Sequence, residues 1–157
     1  MMEKDRDTID DILSDIKSDH LVQRMKKYIQ HGRISTYEHC ENVTRMSDKI
    51  DKILHLHSDR DTLLKGAMLH DFYLYDWHEE DGGTHKLHGF RHAKAARENA
   101  RQYLHTNEKI NNVIDSHMWP LNLKKVPKSR EAWVVCIADK LVSLHETIFR
   151  RGRSLSD

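Results

Sequence analysis

Apolar residues recur every three or four positions along most of the chain, and the pattern predicts helix after helix. Thr8 caps a first helix carrying Ile9, Ile12, Leu13 and Ile16 on one face, with acidic residues in its first turn. A second helix is predicted from about Asp19 to Gln30, with Leu21, Val22, Met25 and Ile29 at the same spacing and His31-Gly32 as its stop. Ser35 with Glu38 three residues on is a capping-box signature. The helix it opens has His39, Val43, Met46, Ile50 and Ile53 as its inward stripe. A polar break at Ser58 and Asp59 starts a further helix through Leu63, Leu64, Ala67 and Met68 to Leu69-His70-Asp71.

The periodicity is lost from Phe72 to Leu87, where aromatic residues, an acidic run and Gly82-Gly83 predict a loop over a site. Helix resumes near His88 and runs to about Leu104, with Phe90, Ala93, Ala96, Ala100 and Leu104 as packing positions. Asn107 caps a short helix ending at His117, closed by Trp119-Pro120. Residues 121–128 connect, and Ser129 opens a last long helix with Trp133, Val134, Ile137, Leu141, Leu144 and Ile148 as its packing face. No alternating strand of useful length interrupts the helices. The expected fold is all-α, one domain: N-terminal helices over residues 1–34 packed on a core of 35–149, then a tail over 150–157 that frays.

Composition narrows the class. A chain of 157 residues, 38% hydrophobic and 32% charged, suits one soluble domain with a real core. A net charge of +1 provides no field to attract a nucleic-acid polymer or acidic lipid. The two cysteines, Cys40 and Cys136, form no CxxC pair, which excludes a zinc ribbon and fits a reducing compartment. No signal region opens the chain and no apolar run could span a bilayer, so a cytoplasmic location without membrane partners is expected.

The one abnormal count is 13 histidines. His20, His55, His57 and His105 stand in polar surroundings and receive no role. The candidate ligands fall at or near apolar helix stripes: His39, the pair His70-Asp71, His88 and His92 one turn apart, His117, and Asp139 within Val-Val-Cys-Ile-Ala-Asp-Lys. A single histidine on an apolar face is more often a satisfied core residue than a ligand. Asp139 alone could pair with Lys140 or Arg91. Several imidazoles and two carboxylates buried in one small helical domain are instead explained by a shared cation, because an uncompensated buried charge costs several kcal/mol. Nitrogen and oxygen donors without thiolate suit iron, manganese, nickel, zinc or magnesium.

The ordered set resembles the HD-domain metal-dependent phosphohydrolases, whose signature is a His, a His-Asp doublet and a distant Asp on a helical bundle. The matching positions are His39 in Thr-Tyr-Glu-His-Cys-Glu-Asn-Val, His70-Asp71 in Met-Leu-His-Asp, and Asp139 in Ile-Ala-Asp-Lys. Members with two metals add two histidines between the doublet and the last Asp. His92 with Ala96 four positions on fits the first, with His88 as its competitor, and the Ile114-x-x-His117 run fits the second. The resemblance spans roughly residues 35–146.

That resemblance implies two divalent ions bridged by Asp71, with His39, His70 and Asp139 on the first and His92 and His117 on the second. Asp71 and His70 would then be central to catalysis, in which a metal-activated hydroxide cleaves a phosphoester of a nucleotide or similar small metabolite. His88, Lys140 and Arg91 are candidates to contact phosphate, and Tyr73, Tyr75 and Trp77 either stack on a base or sugar or pack the bundle. The Gly-Lys that many members carry after His-Asp is replaced here by Phe72-Tyr73, and the Gly-Tyr-Pro motif of the cyclic-dinucleotide branch is missing. Two alternatives keep the same ligands: a di-iron oxygenase cleaving a carbon–carbon or carbon–phosphorus bond, and a non-catalytic nucleotide-binding regulatory domain. A homo-oligomer is compatible with either.

Overall fold

The computed structural model describes residues 7–75 and 88–151, without the side chains of 88, 90, 150 and 151. The predicted loop residues 76–87, Trp77 and Gly82-Gly83 among them, and the tail beyond residue 151 therefore lie outside the described residues.

Seven α-helices and one short hairpin make up the described fold: α1 (Ile9–Ser18), α2 (His20–Arg24), β1 (Ile29–His31), β2 (Ile34–Ser35), α3 (Thr36–Ile53), α4 (Arg60–Leu69), α5 (His88–Leu104), α6 (Glu108–Ser116) and α7 (Arg130–Arg151). Local chemistry sets the boundaries. Capping boxes open α1 (Thr8 with Asp11) and α3 (Ser35 with Glu38), each side chain accepting from or reaching back to the other's backbone N–H. The Asn107 side chain accepts from Ile110 N at the start of α6, and Ser129 Oγ from Ala132 N at the start of α7.

The single long helix expected from Asp19 to Gln30 does not form. α2 stops at Arg24, a 3-10 turn covers Met25–Lys27, and the chain then turns into the hairpin, pairing Ile29 with Ser35 and His31 with Ile34. The turn passes through Gly32 at φ 54°, which a residue without a Cβ adopts freely. Leu21, Val22 and Met25 keep helical spacing, but Ile29 is on the strand and exposed. Periodicity alone could not separate the two states, because the strand is too short to alternate visibly.

α4 is the axis of the domain. Its Leu64, Met68 and Leu69 join Leu13, Met25, Phe72 and Ile114 in one apolar cluster, while Leu63 and Ala67 join Val43, Val113, Val135 and Ala138 in another. A helix buried on nearly all sides needs no polar face, and α4 has little amphipathic character. Its close approach to α6 is made at Gly66, where an added Cβ would stand 2.5 Å from Val113 Cγ1.

The last helix packs on a face other than the expected one. Val135, Ala138 and Val142 turn inward with Val134, while Trp133, Ile137, Leu141, Leu144 and Ile148 are exposed. Ile53, assigned to the inward stripe of α3, is likewise exposed. Helix α7 lies against α3, α4 and α6, with its small residues Val135, Ala138 and Val142 turned to them.

Candidate metal centre

α4 carries the pair His70-Asp71 to the middle of the bundle, and four further elements converge on it. α3 brings His39, α5 His92, the end of α6 His117, and α7 Asp139. His39, His70 and His117 are fully buried, and Asp71 and His92 nearly so.

Two helix ends present their imidazoles in the same way. His70 Nδ1 lies 2.7 Å from Ala67 O and His117 Nδ1 2.7 Å from Ile114 O, three residues back in each case. A carbonyl can only accept, so Nδ1 carries the proton and donates. The bond satisfies one of the orphan carbonyls of each helix terminus and leaves the Nε2 lone pair aimed inward. His39 reaches the same state through a different partner: its Nδ1 donates to Glu146 Oε2 at 2.9 Å.

The inward atoms form two lobes on either side of Asp71. On one, His39 Nε2 stands 3.0 Å from Asp139 Oδ1 and 3.7 Å from Asp71 Oδ2. His70 Nε2 is 3.3 Å from Asp71 Oδ2 and 3.4 Å from Asp139 Oδ1. On the other, His92 Nε2 and His117 Nε2 lie 3.3 and 3.4 Å from Asp71 Oδ1 and 2.9 Å from each other. Donor atoms bound at about 2.1 Å around one cation are separated by about 3.0 Å at right angles and about 3.4 Å at tetrahedral angles. Both lobes have that spacing.

Hydrogen bonding alone does not satisfy these atoms. His70 Nε2 and Asp71 Oδ1 are buried with no hydrogen-bond partner, each a loss of about 1–3 kcal/mol if nothing binds them. His39 Nε2 faces a carboxylate oxygen although its other nitrogen already holds the proton given to Glu146. A second proton or a metal cation resolves that contact. Without a cation, protons are drawn in. Burial alone would press the His39 pKa down, but Asp139 and Glu146 hold it up at about 10. His70 is likewise raised well above the ordinary value: burial opposes this, and the Asp71 charge leads the groups that overcome it. Burial pushes the carboxyls of Asp71 and Asp139 up, yet His70 and its neighbours at the first, and His39 and His70 at the second, hold both well below the usual range. His117 is lowered, chiefly by burial. The donor set fits a divalent ion.

A family model described as HD domain matches residues 36–144. The chain belongs to the HD-domain family. No curated protein and no solved structure matches it. The HD domain places the chain in a superfamily of metal-dependent hydrolases, and clusters such as His39-His70-Asp139 and His70-Asp71-His117 are able to hold a metal. Among the described residues, no helix is long and apolar enough to cross a membrane.

All six residues expected as ligands meet at this HD centre, His92 included. The side chain of His88, its competitor, lies outside the described residues. The expected phosphate contacts fare differently. Lys140 lines the cleft over the centre, but its ammonium donates to His117 O, Cys136 O and Cys136 Sγ at 3.1–3.3 Å. Arg91 is exposed and does not line that cleft. Tyr73 is buried, its hydroxyl donating to Gln30 Oε1 at 2.6 Å, so it braces the bundle.

Three residues around the centre were not singled out from the sequence. Glu146, buried, fixes the His39 tautomer and also accepts from Asn42 Nδ2 at 3.1 Å. Gln30 donates to Asp71 Oδ2 at 2.8 Å, with its carbonyl oxygen held by Tyr73. His31, beside it on the hairpin, joins His39 and Glu146 in a cluster. Glu146 stands seven residues after Asp139, two helical turns on, and that spacing was the available signal. Gln30 and His31 have none, because the sequence reads as the end and the stop of a helix where the chain forms the strand that aims them.

Proposed function

We propose that the chain is a metal-dependent phosphohydrolase acting on a phosphoester of a nucleotide or similar small metabolite. The observation that carries this reading is Asp71, whose two oxygens face separate imidazole-bearing lobes, as suits a carboxylate shared by two ions. Iron, manganese, nickel, zinc and magnesium are the ions compatible with these donors, and thiolate-seeking ions are not. His39, His70 and Asp139 would hold one ion with Asp71, and His92 and His117 the other. Bound divalent ions would make a hydroxide nucleophile available near neutral pH and offset the charge that develops on the phosphoryl oxygens.

The protein's own residues prepare the site for that chemistry. Ala67 O, Ile114 O and Glu146 hold the Nδ1 protons of His70, His117 and His39 and so aim each Nε2 at the centre before any ion arrives, leaving the extra protons on His39 and His70 to be displaced. Gln30 holds Asp71 Oδ2 in place. The open cleft above, about 780 Å³, has room for a nucleotide-sized molecule. Gln30, His31, Lys140, Ser143 and Thr147 offer polar groups along it, while Met118, Pro120, Leu121 and Leu144 form an apolar wall. A sugar or base fits against such a wall while the phosphate lies at the ions.

The test is phosphate release from a panel of nucleoside monophosphates and sugar phosphates, with protein stripped of metal and then reloaded with each ion. Metal-dependent release that disappears in Asp71→Ala supports the reading. Tightly held iron, with oxygen consumed alongside an organic substrate and no phosphate released from any ester, would establish the oxygenase instead. Tight nucleotide binding without turnover under every metal would establish the regulatory domain.

A further inference from the structure

We infer that the exposed face of α7 is the docking surface for a second copy of this chain, packed antiparallel about a two-fold axis. Ile137, Leu141, Leu144 and Ile148 are 48%, 45%, 58% and 56% exposed, and lie on one side of the helix at successive intervals of four, three and four residues. Those intervals are a heptad seam, the pattern that packs one helix against another. A lone solvated helix face has no use for four large aliphatic residues in a row.

The order of the side chains selects the occupant. Isoleucine, leucine, leucine, isoleucine at four-three-four spacing reads the same from both ends. A two-fold axis between Leu141 and Leu144 therefore sets Ile137 against Ile148 of the second copy and Leu141 against its Leu144. An isologous contact requires such a self-complementary patch, whereas a different partner does not. None of the four seam positions is charged; Lys140 borders the seam, with its ammonium turned to the His117 and Cys136 carbonyls.

The extent of the surface agrees. With Trp133 at 38%, the five side chains expose on the order of 500 Å² of apolar area, taking roughly 200 Å² for each when fully exposed. A standard interface covers about 800 Å² per partner, of which roughly 60–65% is apolar, again about 500 Å². Leu144 also lines the cleft above the metal centre, so the second copy would stand at the lip of that cleft.

Sedimentation velocity of the full chain over a range of concentrations tests this. The expected particle has twice the chain mass of 18.6 kDa. Leu141→Glu and, separately, Ile148→Glu should lose the dimer while keeping the wild-type far-UV circular dichroism, since both positions are exposed. A mixture of the single variants Ile137→Cys and Ile148→Cys tests orientation, because a parallel pair would cross-link each variant with itself. The two positions are about 16 Å apart along one helix, so in the antiparallel pair neither variant should cross-link alone, while oxidation of the mixture should give a dimer held by a disulfide. A wild-type chain that is monomeric at every concentration would overturn the proposal. A dimer unaffected by either glutamate variant, or one that the mixed cysteine variants fail to cross-link, would do the same. So would a monomer that binds anionic phospholipid vesicles through this face.

Discussion

Replacing Glu146 should weaken metal binding without removing any residue proposed to touch the metal. Glu146 is 5% exposed, and its carboxylate accepts the His39 Nδ1 proton at 2.9 Å. In Glu146→Ala the imidazole loses the group that fixes its tautomer, and the form with the proton on Nε2 can no longer offer a lone pair to the first lobe. Loss of such a supporting carboxylate typically lowers metal affinity 10- to 100-fold, which is about 1.4–2.8 kcal/mol. Glu146→Gln keeps the shape and an acceptor oxygen but gives up the charge. A hydrogen bond to a charged group is worth about 1.5–3 kcal/mol against about 0.5–1.5 for a neutral one, so this variant should lose about 1 kcal/mol, or roughly fivefold. Competition against a chelator of known affinity, on stripped protein at fixed pH, reads both ratios. Wild-type affinity in both variants, with thermal unfolding unchanged, would remove Glu146 from the support of His39.

Three further outcomes follow, two from the proton on His39 and one from the contact between α4 and α6. Because His39 holds its extra proton up to about 10 in the metal-free protein, a metal must displace it. Apparent affinity should therefore fall as pH is lowered, by roughly tenfold per pH unit for each proton displaced, and a pH-independent metal titration would contradict this. The same raised value stabilises the metal-free fold fully below the ordinary histidine pKa of about 6.5, and that contribution is lost as pH rises through about 10. Chelator-treated protein should then melt at a progressively lower temperature across that interval, whereas a flat profile would show that His39 carries no extra proton. Gly66→Ala would drive a methyl into Val113 and should cost about 1–3 kcal/mol in denaturant unfolding, although alanine is the better helix former. A stabilised variant would mean that α4 and α6 are farther apart than described.

The parts of this molecule that could be read from the sequence are those governed by local rules. Ser35 with Glu38 and Asn107 announced helix starts through hydrogen bonds that span three residues. His70 and Asp71 stood out because two ionisable groups at the end of an apolar run need compensation. The hairpin was hidden because Leu21, Val22, Met25 and Ile29 fit a helical period that the chain abandons halfway, and Gln30 and His31 were hidden with it. On α7 the spacing of the larger aliphatic residues points to a face that the structure leaves exposed. Close helix packing instead selected Val135, Ala138 and Val142, and left the bulkier Ile137, Leu141 and Leu144 outside. Side-chain size did not decide burial there; the space between helices did. The engagement of Lys140 with the carbonyls of His117 and Cys136 is a tertiary fact with no local signature.

The convergence of five residues, His39, His70, His92, His117 and Asp139, on Asp71 underlies the proposed chemistry. Anomalous diffraction recorded on either side of the metal absorption edge, from crystals grown with manganese, tests it directly. Two peaks flanking Asp71 are expected, one within bonding distance of His39, His70 and Asp139 and the other of His92 and His117. Full-strength peaks elsewhere, with none near Asp71, would contradict it.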